Sequence, residues 1–201
     1  MNKTSRLDQQ LDFLLEIDKL KQIYRRNTLA DGTRTENTAE HSWHIAILAG
    51  VLQEYSNDSV NLERVLLMLL IHDIVEIDAG DTYAYDEKGY QDKEDREHLA
   101  AERIFSLLPE DQYAKYKEIW LEFEDAQTPE SRFANAADRL MPLLHNYLSG
   151  GAIWVDNKIR KSQVLKRLQP MKNGSEELWG GALDILDRAI NAGYIINDDP
   201  R

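Results

Sequence analysis

The 201 residues predict an all-α, single-domain protein, and three observations lead there. Apolar residues recur at helical spacing in almost every segment. No run alternates apolar and polar residues for long enough to argue a sheet. Breaks fall at isolated glycine, proline and Asn/Asp/Ser clusters, with no internal repeat, low-complexity tract or composition shift to mark a second domain. The length allows one domain with a substantial core and is short for two.

The elements follow in order. Leu11, Leu14, Leu15 and Ile17 through Leu20 and Ile23 form the apolar stripe of a first helix, ending near Arg25 and Arg26. The polar connection "NTLADGTRTEN" carries an Asp-Gly turn signal. Thr38 is the expected N-cap of a second helix, with Glu40 in its first turn. After "SNDS", Asn61 can cap a third, "LERVLLMLLIHDIVEI", apolar on almost all sides and so expected at the centre. Residues 78 to 92 read as turns. Helical pattern returns at "KEDREHLAAERIFSLL", and Pro109 opens a further helix. Pro129 sits near the first position of the next, which runs to Gly150-Gly151 with Pro142 inside it, where a kink is expected. Two more helices are expected in the C-terminal third, "VLKRLQPMKNG" and "SEELWGGALDILDRAINAG".

Composition narrows the function classes. Charged residues make up 30% and the net charge is −12, so nucleic acid and anionic membrane surfaces are both disfavoured as partners. A small phosphorylated substrate is still allowed, because one local cation reverses the sign of a pocket. The absence of cysteine excludes disulfides, thiolate metal sites and a cysteine nucleophile. "VLLMLLI" is too short to span a bilayer, and the N-terminal segment lacks a signal pattern. A cytoplasmic location is the expectation.

One stretch breaks the apolar logic. "LLIHDIVEIDAGD" places His72 and Asp73 among leucines and isoleucines, where polar groups without partners cost a few kcal/mol each. His41, in the first turn of the second helix, can reach the flank of the third. Asp138 stands on the apolar face of "FANAADRLMPLL". Two imidazoles and two carboxylates suit one borderline or hard divalent ion such as Mn²⁺, Co²⁺, Fe²⁺, Ni²⁺, Zn²⁺ or Mg²⁺. On a six-coordinate ion they leave two positions for water and substrate, as metal-assisted hydrolysis requires. By spacing alone, a hydrogen-bonded core histidine is an equal alternative.

The ordered set "TENTAEHSWHIAILA", "MLLIHDIVEIDAGD" and "FANAADRLMPLL" resembles the HD-domain metal-dependent phosphohydrolases. It is most similar to their small 5′-nucleotidase and 5′-deoxynucleotidase-like branch. The resemblance runs from about Leu15 to Tyr147 and leaves a C-terminal helical extension from about 150. It implies a single helical HD domain over 1–201, with His41, His72, Asp73 and Asp138 as metal ligands. It further implies Glu76 and Asp81 as proton-transfer groups and Arg26 as the phosphate-binding residue. Asn27 stands where the branch often has tryptophan, so the contact to base or sugar is expected to differ.

Each assignment has a plainer counterpart. Glu76 and Asp81 can be a solvated helix end and a turn acid, and Arg26 a helix C-terminal cation. His44 reads as a core residue, and Arg34, Asn37 and Glu40 as supports of the site. Trp120 reads as core. His98 lies in a charged, exposed context and His145 two turns beyond Asp138, so a second metal in a dinuclear centre would lack ligands. The expected activity is that of a metal-dependent phosphomonoesterase with one divalent ion, hydrolysing nucleoside (deoxy)5′-monophosphates directly to nucleoside and phosphate. Alternatives are hydrolysis of another phosphoester or a nucleoside triphosphate, or a catalytically weak nucleotide- or metal-binding module. Dimers are implied by the branch.

Overall fold

A computed structural model describes residues 5–86 and 88–199; residues 1–4, 87, 200 and 201 of the expected domain lie outside the described residues. Ser5 opens the first helix, α1 (Arg6–Ile17), through a reciprocal capping box with Asp8. The helix stops there. A 3-10 turn over Asp18–Gln22 buries Leu20, and the chain then becomes extended.

Arg25 and Arg26 therefore do not end a helix. They lie on β1 (Tyr24–Thr28), paired antiparallel with β2 (Thr35–Asn37) in a small hairpin. The sequence reading missed it because five residues of "YRRNT" alternate too briefly and carry no apolar face. Gly32, at φ 71°, takes the left-handed turn position that the Asp-Gly pair announced.

The second helix, α2 (Thr38–Leu52), is capped by Asn37 rather than by the expected Thr38. The Asn37 side chain accepts from the Glu40 backbone N–H, and Glu40 returns a bond to the Asn37 backbone. Thr38 is thereby left to hydrogen-bond elsewhere. Asn61 caps α3 (Leu62–Ile71), as expected. The expected continuation through Ile77 fails: His72–Val75 tightens into a 3-10 turn before a short α4 (Glu76–Ala79). The described residues between 81 and 92 carry no helix.

Three long helices follow: α5 (Lys93–Phe105), α6 (Glu110–Asp125) and α7 (Pro129–Leu148). Pro129 starts α7 behind a Thr128 cap, and the helix continues across Pro142. The two expected C-terminal helices are four: α8 (Ala152–Asp156), α9 (Lys161–Leu168), α10 (Met171–Gly174) and α11 (Glu176–Asn191). Pro170 separates α9 from α10, and Ser175 caps α11.

Centrality belongs to α7, not α3. α7 packs on α2, α3, α6, α9, α10, α11 and β1, whereas α3 leaves Leu70 47% exposed. Small residues let α7 take that place: Ala134, Ala136 and Ala137 are fully buried and admit neighbours closely. No described helix is long and apolar enough to cross a membrane.

Candidate metal centre

Three elements deliver the site. α2 brings His41, the 3-10 turn after α3 brings His72 and Asp73, and α7 brings Asp138. His41 Nε2 lies 3.0 Å from Asp138 Oδ1. His72 Nε2 lies 3.1 Å from Asp73 Oδ1 and 3.8 Å from Asp138 Oδ1. One ligand atom each from His41, His72 and Asp73 falls within 4.8 Å of the others. The four residues that the sequence singled out are thus neighbours.

Local bonding turns the His72 ring the right way. His72 Nδ1 is 3.0 Å from the Leu69 carbonyl, so it carries the proton and donates. That leaves Nε2 with its lone pair facing the carboxylates. Nε2 is buried with no hydrogen-bond partner, the kind of orphan that an ion would satisfy. Buried Trp120 donates from Nε1 to the His72 carbonyl at 3.2 Å. Trp120 was read as core, which it is, and it also braces this turn.

The field at the centre favours positive charge. Burial opposes a charge on His72, but Asp73 and Asp138 outweigh it and lift its pKa to about 10. Burial likewise opposes charge on Asp138, yet His41 and His72 hold it well below the usual carboxylate range. A divalent cation fits this donor set and this potential.

Around these four residues stand the proton-transfer candidates. Glu76 is buried and accepts a hydrogen bond from Thr38 Oγ1 at 2.9 Å, the bond released by the shifted cap. Burial, then Asp73 and Asp81, raise Glu76 well above its ordinary pKa. Burial also raises Asp81, with Arg25 opposing. Both line the cavity at the ligands, together with Arg25, Asp138, Arg139 and Arg167.

The arginines depart from expectation. Arg25, which the sequence reading passed over, lies 2.9 Å from Asp73, 3.7 Å from Asp81 and 4.0 Å from Glu36. Arg26 points the other way, its guanidinium 5.0 Å from the Tyr83 ring centroid. It lines an adjoining cleft with Asn27, Tyr85, Arg139 and Arg167. Arg167 comes from α9, in the C-terminal extension, and reaches to 3.6 Å from Asp138 Oδ2. Neither Arg139 nor Arg167 was singled out from the sequence. Arg139 follows Asp138 directly, which is the signal that could have found it; Arg167 gave none. His98 is exposed, edge-on to Trp120 and away from the ligands.

A helical domain gathering two imidazoles and two carboxylates from three elements defines a metal-centre protein. The chain belongs to the HD-domain family, whose model matches residues 17–179, past the motif limit near 147. It is 30% identical to the human 5′-deoxynucleotidase HDDC2 over 135 residues, covering 67% of this chain but only 65% of that protein. A 5′-deoxynucleotidase of Pectobacterium atrosepticum is 28% identical over 95% of this chain and 98% of its own. A crystal structure of a predicted metal-dependent phosphohydrolase from Magnetospirillum magnetotacticum shares 50% identity and a TM-score of 0.91, covering 95% of this chain and 96% of that one.

Proposed function

We propose that this chain is a metal-dependent phosphomonoesterase that converts nucleoside 5′-monophosphates, deoxy forms included, to nucleoside and orthophosphate. The observation that carries it is the junction of two cavities. One holds His72, Asp73, Glu76 and Asp138; the other holds Arg26, Tyr83, Tyr85 and Asn27; Asp81, Arg25, Arg139 and Arg167 line both. A phosphate in the first and a nucleoside in the second would put the scissile P–O bond beside Asp81. The names of the human and Pectobacterium relatives support the substrate class.

His41, His72, Asp73 and Asp138 would hold the ion, which supplies Lewis acidity and positive charge toward the phosphate. Glu76 orients the attacking water and takes its proton as oxygen bonds to phosphorus. The raised basicity of Glu76 comes from burial and from carboxylate charges, which a cation offsets. Asp81 gives its proton to the departing 5′ oxygen as the P–O bond breaks. Arg139 and Arg167, which line both cavities, hold the phosphate, and Arg26, exposed and without an ion pair among the described residues, holds the nucleoside side of the substrate in the second cavity. Arg25 keeps Asp73 and Asp81 oriented.

Metal analysis of the purified protein and phosphate release from a nucleotide panel with Mn²⁺, Co²⁺, Mg²⁺ and Zn²⁺ test the proposal. Release from 5′-monophosphates is expected, with at least a hundredfold loss and loss of metal in Asp73→Ala. No release from any nucleotide with any of these ions would overturn it. A second copy of the chain is the proposed partner, on exposed Leu7, Leu11, Leu14 and Leu15 along one flank of α1. Light scattering that returned a monomer would remove that part, and the cytoplasm is the proposed location.

A further inference from the structure

Behind the metal centre three more metal-ligating side chains meet. Glu36 comes from β2, His44 from α2 and His145 from α7, and one ligand atom from each lies within 4.8 Å of the others. Glu36 is 1% exposed and His145 4%. Their placement leaves hydrogen-bonding capacity unused: the closest group to Glu36 Oε2 is His41 Nδ1 at 3.4 Å, which makes no hydrogen bond to it. Glu36 Oε2 and His145 Nδ1 are both buried with no hydrogen-bond partner. The nearest approach between them, Glu36 Oε1 to His145 Nδ1, is 3.8 Å, too long for a hydrogen bond. Arg25 Nε, at 4.0 Å from Glu36 Oε2, is beyond that reach as well.

A buried carboxylate and a buried imidazole left 3.8 Å apart, each without a partner, describe a gap that a third body fills. The His44 ring sits 5.6 Å from that of His145 and supplies a third donor. His44 is half-buried, so the group is not sealed from solvent on that side.

We propose that Glu36, His44 and His145 form a second metal site, separate from the hydrolytic centre. Two imidazoles and one carboxylate on one side of an ion, with the remaining positions open, suit a borderline transition ion such as Zn²⁺, Co²⁺ or Fe²⁺ over Mg²⁺ or Ca²⁺. The two sites do not form one dinuclear cluster. His41 stands between them: its Nε2 faces Asp138 at 3.0 Å, while its Nδ1 faces Glu36 Oε2 at 3.4 Å. The second ion lies on the far side of that ring.

The test counts metal rather than activity. Protein loaded with Co²⁺ or Zn²⁺ and desalted is analysed by inductively coupled plasma spectrometry. Wild type is expected to hold two ions per chain. His44→Ala and His145→Gln are each expected to hold one, and Asp73→Ala, which disrupts the first site, is expected to keep the other. His44 is half-buried, so its replacement leaves the fold intact, and circular dichroism checks that for every variant. In the Co²⁺ form, the visible spectrum of wild type minus His44→Ala isolates the second site's own bands. One ion per chain in wild type, or two retained in both His44→Ala and His145→Gln, overturns the proposal. Loss of hydrolysis with two ions still bound would count against the reaction above and leave this site standing.

Discussion

Arg25 has carboxylates of Glu36, Asp73 and Asp81 within 4.0 Å, and its side chain is only 11% exposed. Burial would lower its pKa, but Asp73, Glu76 and Asp81 reverse that and hold it firmly charged. Removing one partner from a buried ion pair typically costs about 3–5 kcal/mol. Arg25→Met is therefore expected to lower the denaturation midpoint sharply. Arg26→Ala, on the exposed side of the same strand, should shift stability by less than about 0.5 kcal/mol. Its expected effect is on substrate, a rise in KM of about tenfold, equal to about 1.4 kcal/mol. Steady-state kinetics beside urea titration separates the two, and a stability loss in Arg26→Ala equal to that of Arg25→Met would refute the division. At this scale the sequence was most legible where a polar residue interrupts an apolar helix, as at His72, Asp73 and Asp138. It was least legible at Arg25 and Arg26. On a strand, adjacent residues face opposite ways, and reading them as a helix end hid which one turns inward.

Between elements, close approach is concentrated where α10 crosses α7. A Cβ on Gly174 would stand 2.2 Å from the Arg132 carbonyl oxygen, so the two backbones touch there. Gly174→Ala must push α10 off α7, and a loss of about 1–3 kcal/mol is expected in denaturant unfolding. Gly181, inside α11 and open to solvent, has nothing within 4 Å of its would-be Cβ. There the same change should stabilise by about 0.5–1 kcal/mol, since alanine favours the helix.

A second junction ties α1 to α5 and α4. Arg103 reaches Glu16 at 2.7 Å and Asp78 at 2.8 Å, and Lys19 also pairs with Glu16. Hydrogen bonds from Lys19 and Arg103 lower the Glu16 pKa. A depressed carboxyl contributes stability above its unfolded value and loses it as pH falls through the folded one. Protection factors of the α1 amides, that is exchange corrected for its intrinsic pH dependence, should therefore fall on acidification from neutrality to about pH 3, and Glu16→Gln should show a smaller change. Equal acid sensitivity in that variant would mean another group anchors α1. Helix existence was readable from periodicity, whereas the hairpin, the 3-10 turn at His72 and the split of the last third were not. Those depend on capping and on contacts with distant segments: Asn37 took the cap, and Trp120 donates to the His72 carbonyl.

Across the whole molecule the candidate site draws on Arg25 near one end of the chain and Arg167 near the other. The three motifs located the candidate ligands because each lies on its own element. They could not locate the approach of Glu36 to His145 or of Arg167 to Asp138, which are products of the packing of distant segments against α7. Tertiary convergence of that kind leaves no periodic trace in a sequence.

The arginine-lined cleft sits in a molecule of net charge −12, so an anionic substrate meets opposing forces at different ranges. Remote acids repel it over tens of ångströms, and guanidinium groups attract it only at contact. Salt acts on these unequally, because the Debye length is about 10 Å at 0.1 M and about 3 Å at 1 M. Moderate ionic strength should quiet the distant repulsion first, so kcat/KM for a nucleoside monophosphate rises from very low salt toward about 0.1 M. Stronger salt then screens the close contacts, and the rate constant falls. A profile that declined from the start would mean that the cleft governs capture at every distance.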